Sequence, residues 1–218
     1  MGANSRSFVV PIVIGVLFVG ALLLRSHPGA VAGAQGRQVG EISGAERAAT
    51  FTFDPGVAAA DRTAFLRAVA DARPEAQRLI AAVDGLVDVH VVVTESGTVG
   101  VTESDGDRYD VSVNLGLVAR RYGQRGIDRT VLHELGHVVD FALVPPDLDD
   151  RLDAAIPTGY GCDQQQMGSC ASSVERFAES FAKWATGDIG VDMYLGYKVP
   201  PPDDVDAWGA PLASLGSS

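Results

Sequence analysis

The pattern of apolar and polar positions begins with one long apolar segment at the N-terminus. The run extends from Phe8 to Leu24 and is flanked by Arg6 and Arg25. Its length lies at the lower limit for a membrane-spanning helix and above the usual apolar core of a signal peptide. We therefore expect either a cleaved signal peptide or an uncleaved membrane anchor, and both imply export.

This pattern predicts three parts along the chain. Ala30-Val31-Ala32 is a small-residue pattern of the kind at which signal peptides are cleaved. Residues 1–32 are thus expected to be a signal peptide or membrane anchor, and the Gly- and Ala-rich residues 33–46 a linker. Residues 47–218 would form the folded domain, secreted or membrane-anchored and outside the cytoplasm.

The folded domain alternates between strand-like and helix-like patterns. Alternating or β-branched residues predict strands at 50–53, 86–94, 99–101 and 109–115. Apolar residues at helical spacing predict helices at 58–72, 74–83, 127–143 and 174–186, with one further turn at 203–208. Short links between the last three strands predict antiparallel pairing. The order of these elements predicts an α+β fold.

The net charge argues against one class of partner, and the two cysteines predict a disulfide. The net charge is −11, which argues against a nucleic-acid partner because phosphate groups are neutralised by Lys and Arg. We expect a membrane contact only through the N-terminal segment. In an exported chain, Cys162 and Cys170 predict a disulfide. Metal binding by these two cysteines is the alternative.

The most informative spacing is the motif His133-Glu134-Leu135-Gly136-His137. Its two histidines lie one turn apart on one face of the predicted helix, where a single Zn²⁺ can bind both. Glu134 is not needed as a ligand and can act as the general base that takes a proton from water. Gly136 is expected to leave space beside the metal, and Asp128 to cap the helix at its N-terminus.

A catalytic zinc ion requires a third protein ligand and one open position. No histidine follows His137 in the chain, so we expect a carboxylate from the helix at 174–186. That helix offers two carboxylates, Glu175 and Glu179. The alternative role for Glu175 is to complete a capping box that begins at Ser172.

Two further carboxylates are expected close to the metal ligands. Glu179 lies four residues after Glu175 and shares its face of the helix. If Glu175 binds the metal, we expect Glu179 to orient a ligand histidine through the second ring nitrogen of that histidine. Asp140, three residues after His137, is a second candidate for this role.

The segments HELGHVVD (133–140) and ERFAESFA (175–182) together resemble the gluzincin metallopeptidases, and more closely the peptidase domain of the anthrax lethal factor family. The resemblance covers about residues 130 to 185 and implies a small zincin fold, with Glu175 as the zinc ligand. In that family a Tyr-Gly pair precedes the second helix and its tyrosine helps to hold the transition state. Tyr160-Gly161 matches that pair, but residues 162–170 are an insertion relative to the family pattern.

These observations predict one zinc ion per chain, held by His133, His137 and Glu175, with Glu134 and Tyr160 as catalytic residues. The expected reaction is hydrolysis of a peptide or protein substrate, although zinc chemistry on a non-peptide amide has the same residue requirements. A non-catalytic, surface-displayed zinc-containing binding module is the other alternative. Since extended peptides often pair with a sheet edge, we expect the strand at 109–115 to bind the substrate.

Overall fold

The computed structural model describes residues 38–41, 50–83, 85–91, 98–106, 108–157, 171–191, 193 and 199–215. These residues form six helices and one mixed sheet, which confirms the α+β class. The strands are β1 (Gln38–Glu41), β2 (Thr50–Phe53), β3 (Val87–Val91), β4 (Gly100–Asp105) and β5 (Arg108–Val113). The helices are α1 (Ala59–Ala70), α2 (Pro74–Ala82), α3 (Leu115–Leu143), α4 (Pro146–Ala154), α5 (Ser173–Thr186) and α6 (Val205–Leu215).

The strand order in the sheet is β1-β2-β3-β5-β4. β3 runs parallel to both of its neighbours, β2 and β5, whereas β4 is antiparallel to β5 and β1 is antiparallel to β2. The expected antiparallel pairing is therefore confirmed for β4 and β5 but wrong for β3 and β5. The reason is that β4 lies on the outer side of β5 and leaves β5 free to pair with β3. β1 lies within the expected linker, yet its four residues pair with β2.

The core forms where helices cover one face of this sheet. Phe51 and Phe53 alternate along β2 and are buried, and the ring of Phe65 from α1 packs edge-on against both at 5.2 and 5.6 Å. Val111 and Val113 of β5 are likewise buried, and α3 contacts β4 and β5. Burying one such side chain contributes about 1.5–3 kcal/mol, so this packing fixes α3 against the sheet.

Helix α3 begins earlier than expected. Asn114 caps it by accepting a hydrogen bond from the Leu117 N–H at 3.2 Å, whereas Asp128 lies inside the helix and accepts a hydrogen bond from Gln124. The helix is kinked at Gly123, where φ is 63° and ψ is −153°. Residues with a Cβ atom rarely adopt this positive φ, whereas glycine adopts it readily. Because glycine interrupts the helical pattern, the sequence predicts only the part that follows the kink.

Helices α3 and α5 pack closely where the metal-binding motif lies. A Cβ at Gly136 would lie 3.1 Å from both the Ala178 Cα and the Phe181 Cδ1. Gly136 therefore allows α5 to approach α3, and the expectation that it leaves space beside the metal is wrong. The predicted helix at 174–186 is confirmed, with Gly187 at its C-terminal end in the left-handed conformation.

Two C-terminal elements differ from the expected ones. Helix α4 is absent from the sequence prediction because Pro145 and Pro146 resemble a stop signal, although Pro146 also fits the first turn of a helix. Helix α6 extends well beyond the single turn expected at 203–208. Within the described ranges, no helix is both long and apolar enough to cross a membrane. The expected targeting segment, residues 1–32, lies outside them.

Candidate metal and catalytic site

Three side chains from α3 and α5 converge on one point. His133 Nε2 lies 3.1 Å from Glu175 Oε2, and His137 Nε2 lies 3.6 Å from Glu175 Oε1. One ligand atom from each of these residues lies within 4.8 Å of the others. This group can hold a metal ion. The His-x-x-x-His spacing on α3 and the close approach of α5 bring its members together.

The spacing of these donor atoms fits the tetrahedral coordination of a single metal ion. Ligand bonds of about 2.0–2.2 Å to a tetrahedral ion place neighbouring donors about 3.3–3.6 Å apart. The separations of 3.1 and 3.6 Å are close to that range. Glu175 Oε1 is also buried without a hydrogen-bond partner, and leaving a buried acceptor unpaired costs about 1–3 kcal/mol. A bound cation would satisfy this oxygen.

Burial and charge act in opposite directions on the ligand side chains. Burial alone lowers the pKa of His133, but hydrogen bonds to Glu175 and Glu179 and the charges of Glu175 and Glu134 raise it to about 10. Burial alone raises the pKa of Glu175, but contacts with His133 and His137 lower it well below its usual value. The carboxylate thus stays ionised, and the site attracts positive charge, supplied either by protons or by a metal ion.

Glu134 lies beside the ligand group and contacts strand β4. Its Oε2 accepts a hydrogen bond from the Thr102 hydroxyl at 2.8 Å, and the same hydroxyl lies 3.1 Å from the Glu134 backbone oxygen. Burial raises the pKa of Glu134, and the charges of His133 and His137 and the Thr102 hydrogen bond oppose this rise. A partly desolvated carboxylate that is not itself a ligand suits proton transfer.

The backbone of β4 approaches Glu134 closely at Gly100. A Cβ at this position would lie 2.1 Å from Glu134 Oε1. No other residue type therefore fits here unless the carboxylate moves. β4, which lies at the edge of the sheet, therefore packs directly against Glu134, the predicted base.

Glu179 contacts the ligand His133 from the side away from Glu175. Its Oε2 lies 3.2 Å from His133 Nδ1, as expected for a residue that orients this ring. Its Oε1 accepts hydrogen bonds from Lys183 Nζ at 2.7 Å and from Arg129. Burial raises the pKa of Glu179, but hydrogen bonding to His133 and the charges of Lys183 and Arg129 lower it to about 2.

Comparison with protein-family models, curated proteins and solved structures finds no match. The functional proposal for this chain therefore depends on its own residues and their geometry.

The buried ionisable groups around the site do not balance in charge without a cation. Three buried carboxylates and two buried cationic side chains lie together here, so one negative charge remains when all are ionised and the histidines are neutral. They are Glu134, Glu175, Glu179, Arg129 and Lys183, whereas the partly exposed Asp188 is paired with Arg125. A metal cation would offset the remaining negative charge, and ions are costly to bury without such compensation.

An aromatic stack supports the second ligand histidine. The ring of Phe141 lies 6.0 Å from that of His137 at an interplanar angle of 18°, and Tyr109 stacks on the far side of Phe141 at 6.5 Å. Phe141 is 41% exposed. The stack restricts the plane of the His137 ring and presents an apolar surface next to the ligands.

The remaining predicted site residues differ in outcome. Ser172 is the N-cap of α5 but makes no side-chain capping bond, and Glu175 contacts His133 instead of completing a capping box. Asp140 is buried, but its carboxylate makes no hydrogen bond to any described residue, and burial together with Asp149 raises its pKa to about 7. The expected roles of Tyr160, Cys162 and Cys170 concern residues outside the described ranges.

Four residues of the site are missing from the sequence prediction: Gly100, Thr102, Arg129 and Lys183. Lys183 lies four residues after Glu179, and Arg129 lies four residues before His133, so helical spacing places each next to a predicted site residue. No local pattern marks Gly100 or Thr102, because their contacts with Glu134 depend on the position of β4 in the sheet.

Proposed function

We propose that this chain is a zinc-dependent metallopeptidase of the gluzincin type that hydrolyses peptide bonds outside the cytoplasm. The observation that carries the proposal is the group His133, His137 and Glu175, with Glu134 buried beside it and outside the ligand set. A zincin-like fold is part of this proposal. It is supported by a motif helix packed under a mixed sheet and by a second helix that supplies a carboxylate.

The donor set favours zinc over other common ions. Two imidazoles and one carboxylate are typical ligands of a catalytic zinc site, whereas Ca²⁺ and Mg²⁺ prefer oxygen ligands alone. Three protein donors leave the fourth position of a tetrahedral ion open. A zinc ion held here would polarise a carbonyl group and lower the pKa of a coordinated water to about 7.

Glu134 would transfer the protons of the reaction. Its carboxylate accepts a proton from the attacking water and then donates it to the leaving amine. The Thr102 hydroxyl donates a hydrogen bond to Oε2, so Oε1, which lies against the Gly100 backbone, is the oxygen left to accept the proton. Burial raises the pKa of Glu134, so the carboxyl group can hold the proton between the two steps.

Strand β4 provides the surface on which an extended peptide would bind. The Asn114 N–H donates to the Val99 C=O at 2.8 Å, and in an antiparallel pair such hydrogen-bonded positions alternate with open ones. The N–H and C=O groups of Gly100, Thr102 and Ser104 therefore point away from β5. No other described strand pairs with this edge.

A peptide on this edge would lie beside Glu134, because Thr102 and Gly100 contact that residue. The expected strand at 109–115 is wrong for this role, since β5 pairs with β3 on one side and with β4 on the other. An open strand edge of this kind suits a peptide more than a small amide, because it offers several backbone hydrogen bonds in a row.

The test is peptide cleavage by the zinc-loaded full chain and by Glu134→Gln. We expect the wild type to cleave a peptide mixture, with fragments detected by mass spectrometry. The variant should retain about one zinc ion per chain but lose at least about 10²-fold in kcat, because it lacks the base. A Glu134→Gln protein that cleaves as fast as wild type would contradict the mechanism. Zinc binding without cleavage of any peptide would favour the surface-displayed binding module.

A further inference from the structure

Glu179 lies between a ligand histidine and two buried cations. One oxygen of its carboxylate contacts His133 Nδ1, and the other accepts hydrogen bonds from both Arg129 and Lys183. Arg129 is 1% exposed and Lys183 is fully buried. The predicted metal centre is thus continuous with a buried ionic network that the proposed reaction does not use directly.

Burying such a network costs free energy, so its presence calls for a reason other than the stability of the fold. Removing an ion from water costs several kcal/mol even in a relaxed protein interior, and apolar residues of similar volume often stabilise a fold as well or better. Lys183 and Arg129 are two buried positive charges held against one buried carboxylate. Fold stability alone is therefore a weak reason for their presence, whereas control of Glu179 is a specific one.

Both cations are anchored to the backbone, so they cannot follow Glu179 if it turns. Lys183 Nζ donates to the Val199 C=O at 2.9 Å. Arg129 Nη1 donates to the Asp188 C=O at 2.8 Å, while another nitrogen of its guanidinium group holds Glu179. These bonds define one orientation of the carboxylate.

We propose that Lys183 and Arg129 are positioning residues that act on the metal centre through Glu179. They occupy Oε1, so Oε2 is the oxygen left to accept a hydrogen bond from His133 Nδ1. That bond places the ring proton on Nδ1 and leaves Nε2, the atom that faces Glu175, to bind the metal. The inference rests on the proposed metallopeptidase function.

The experiment measures the zinc Kd of the full chain by chelator competition, for wild type, Lys183→Met, Glu179→Gln and the double variant. Lys183→Met keeps the apolar stem and removes the charge. We expect zinc to bind about 10- to 100-fold more weakly in each single variant, the range typical of residues that orient a ligand. The double variant should be little weaker than Glu179→Gln, because Lys183 acts through Glu179.

Arg176→Met is the matched control. Arg176 lies on the same helix as Lys183, is partly buried and donates to the backbone oxygens of Asp153 and Ile156. Its loss should lower the thermal stability without changing the zinc Kd. A purely structural role of Lys183 would give the same result as this control.

The outcomes separate this inference from the proposed function. A wild-type chain that binds no zinc would overturn both. A wild type that binds zinc, with an unchanged Kd in Lys183→Met or with additive effects in the double variant, would overturn the positioning role alone. If Lys183→Met does not fold, Arg129→Lys tests the same carboxylate, since it keeps the charge but loses the planar guanidinium group. An unchanged zinc Kd in Arg129→Lys would contradict the inference.

Discussion

At the scale of single residues, the site depends on contacts that few side chains could replace. Thr102 is the only described side chain that donates a hydrogen bond to the Glu134 carboxylate, and it does so from β4, the strand proposed to bind the substrate. The proposed base and the proposed substrate strand are therefore linked by one hydroxyl group.

Replacing Thr102 by Val should impair catalysis without removing the metal. The hydroxyl hydrogen bond lowers the pKa of Glu134, so its loss should raise that pKa and shift the acidic limb of the kcat/KM profile to higher pH. We expect kcat to fall by roughly 10- to 150-fold, as for the loss of a hydrogen bond to a charged group worth about 1.5–3 kcal/mol. Thr102→Ser keeps the hydroxyl and should restore the profile. An unshifted profile in Thr102→Val would show that the bond does not tune Glu134.

Asp140 gives a residue-scale prediction about stability. Burial and the nearby Asp149 raise its pKa from 3.8 to about 7, so the folded state prefers the protonated form. The stability from this proton is present below about pH 4 and is lost as the pH rises to about 7. Asp140→Asn remains uncharged at every pH.

In the metal-free protein, the stability of Asp140→Asn relative to wild type should therefore increase between pH 4 and pH 7. The increase should be on the order of 1–3 kcal/mol, measured by urea unfolding at both pH values. Asp147→Asn is the control, because this side chain is exposed on α4. An equal stability difference at pH 4 and pH 7 for Asp140→Asn would contradict the raised pKa.

At the scale of elements, the bounds of a helix are predicted correctly where its apolar pattern is unbroken. Helix α5 has one unbroken amphipathic pattern and ends at Gly187, so its bounds could be predicted. In α3 the kink at Gly123 interrupts the helical pattern, so the turns before it are missing from the sequence prediction. The β4–β5 hairpin is local, but the order of the sheet could not be predicted, because β2 pairs with β3 and β3 with β5 across segments that are distant in the sequence. Short strands carry no local record of such neighbours.

The α3–α5 contact gives a prediction at this scale. Gly136→Val would place side-chain atoms against Ala178 and Phe181, which already lie 3.1 Å from the position of a Cβ. The helices should separate, lowering stability by about 1–3 kcal/mol and weakening zinc binding, because Glu175 moves away from the histidines. Gly136→Ala should have a smaller effect on both. Thermal unfolding and chelator competition measure the two effects, and a Gly136→Val protein with unchanged zinc Kd would contradict the proposed role of the contact.

At the scale of the whole molecule, the sequence predicts the candidate metal-binding group better than the residues that surround it. His133 and His137 follow from spacing, a third carboxylate ligand follows from the ligand needs of zinc, and the family resemblance implies Glu175. The structure places these three residues together. The buried partners Arg129 and Lys183 and the edge position of β4 arise from tertiary packing, so composition and periodicity do not predict them. The net negative charge of the buried groups around the site likewise becomes visible only when the elements are assembled.

The central claim, a zinc site completed by Glu175, is tested most directly by the metal content of the full chain. After reconstitution with Zn²⁺ and removal of free metal, we expect about one zinc ion per chain in wild type. Glu175→Ala should lose it, because two histidines alone leave the ion with too few protein ligands, and Glu179→Ala should only bind it more weakly. Wild type without zinc, or Glu175→Ala with undiminished zinc affinity, would contradict the account.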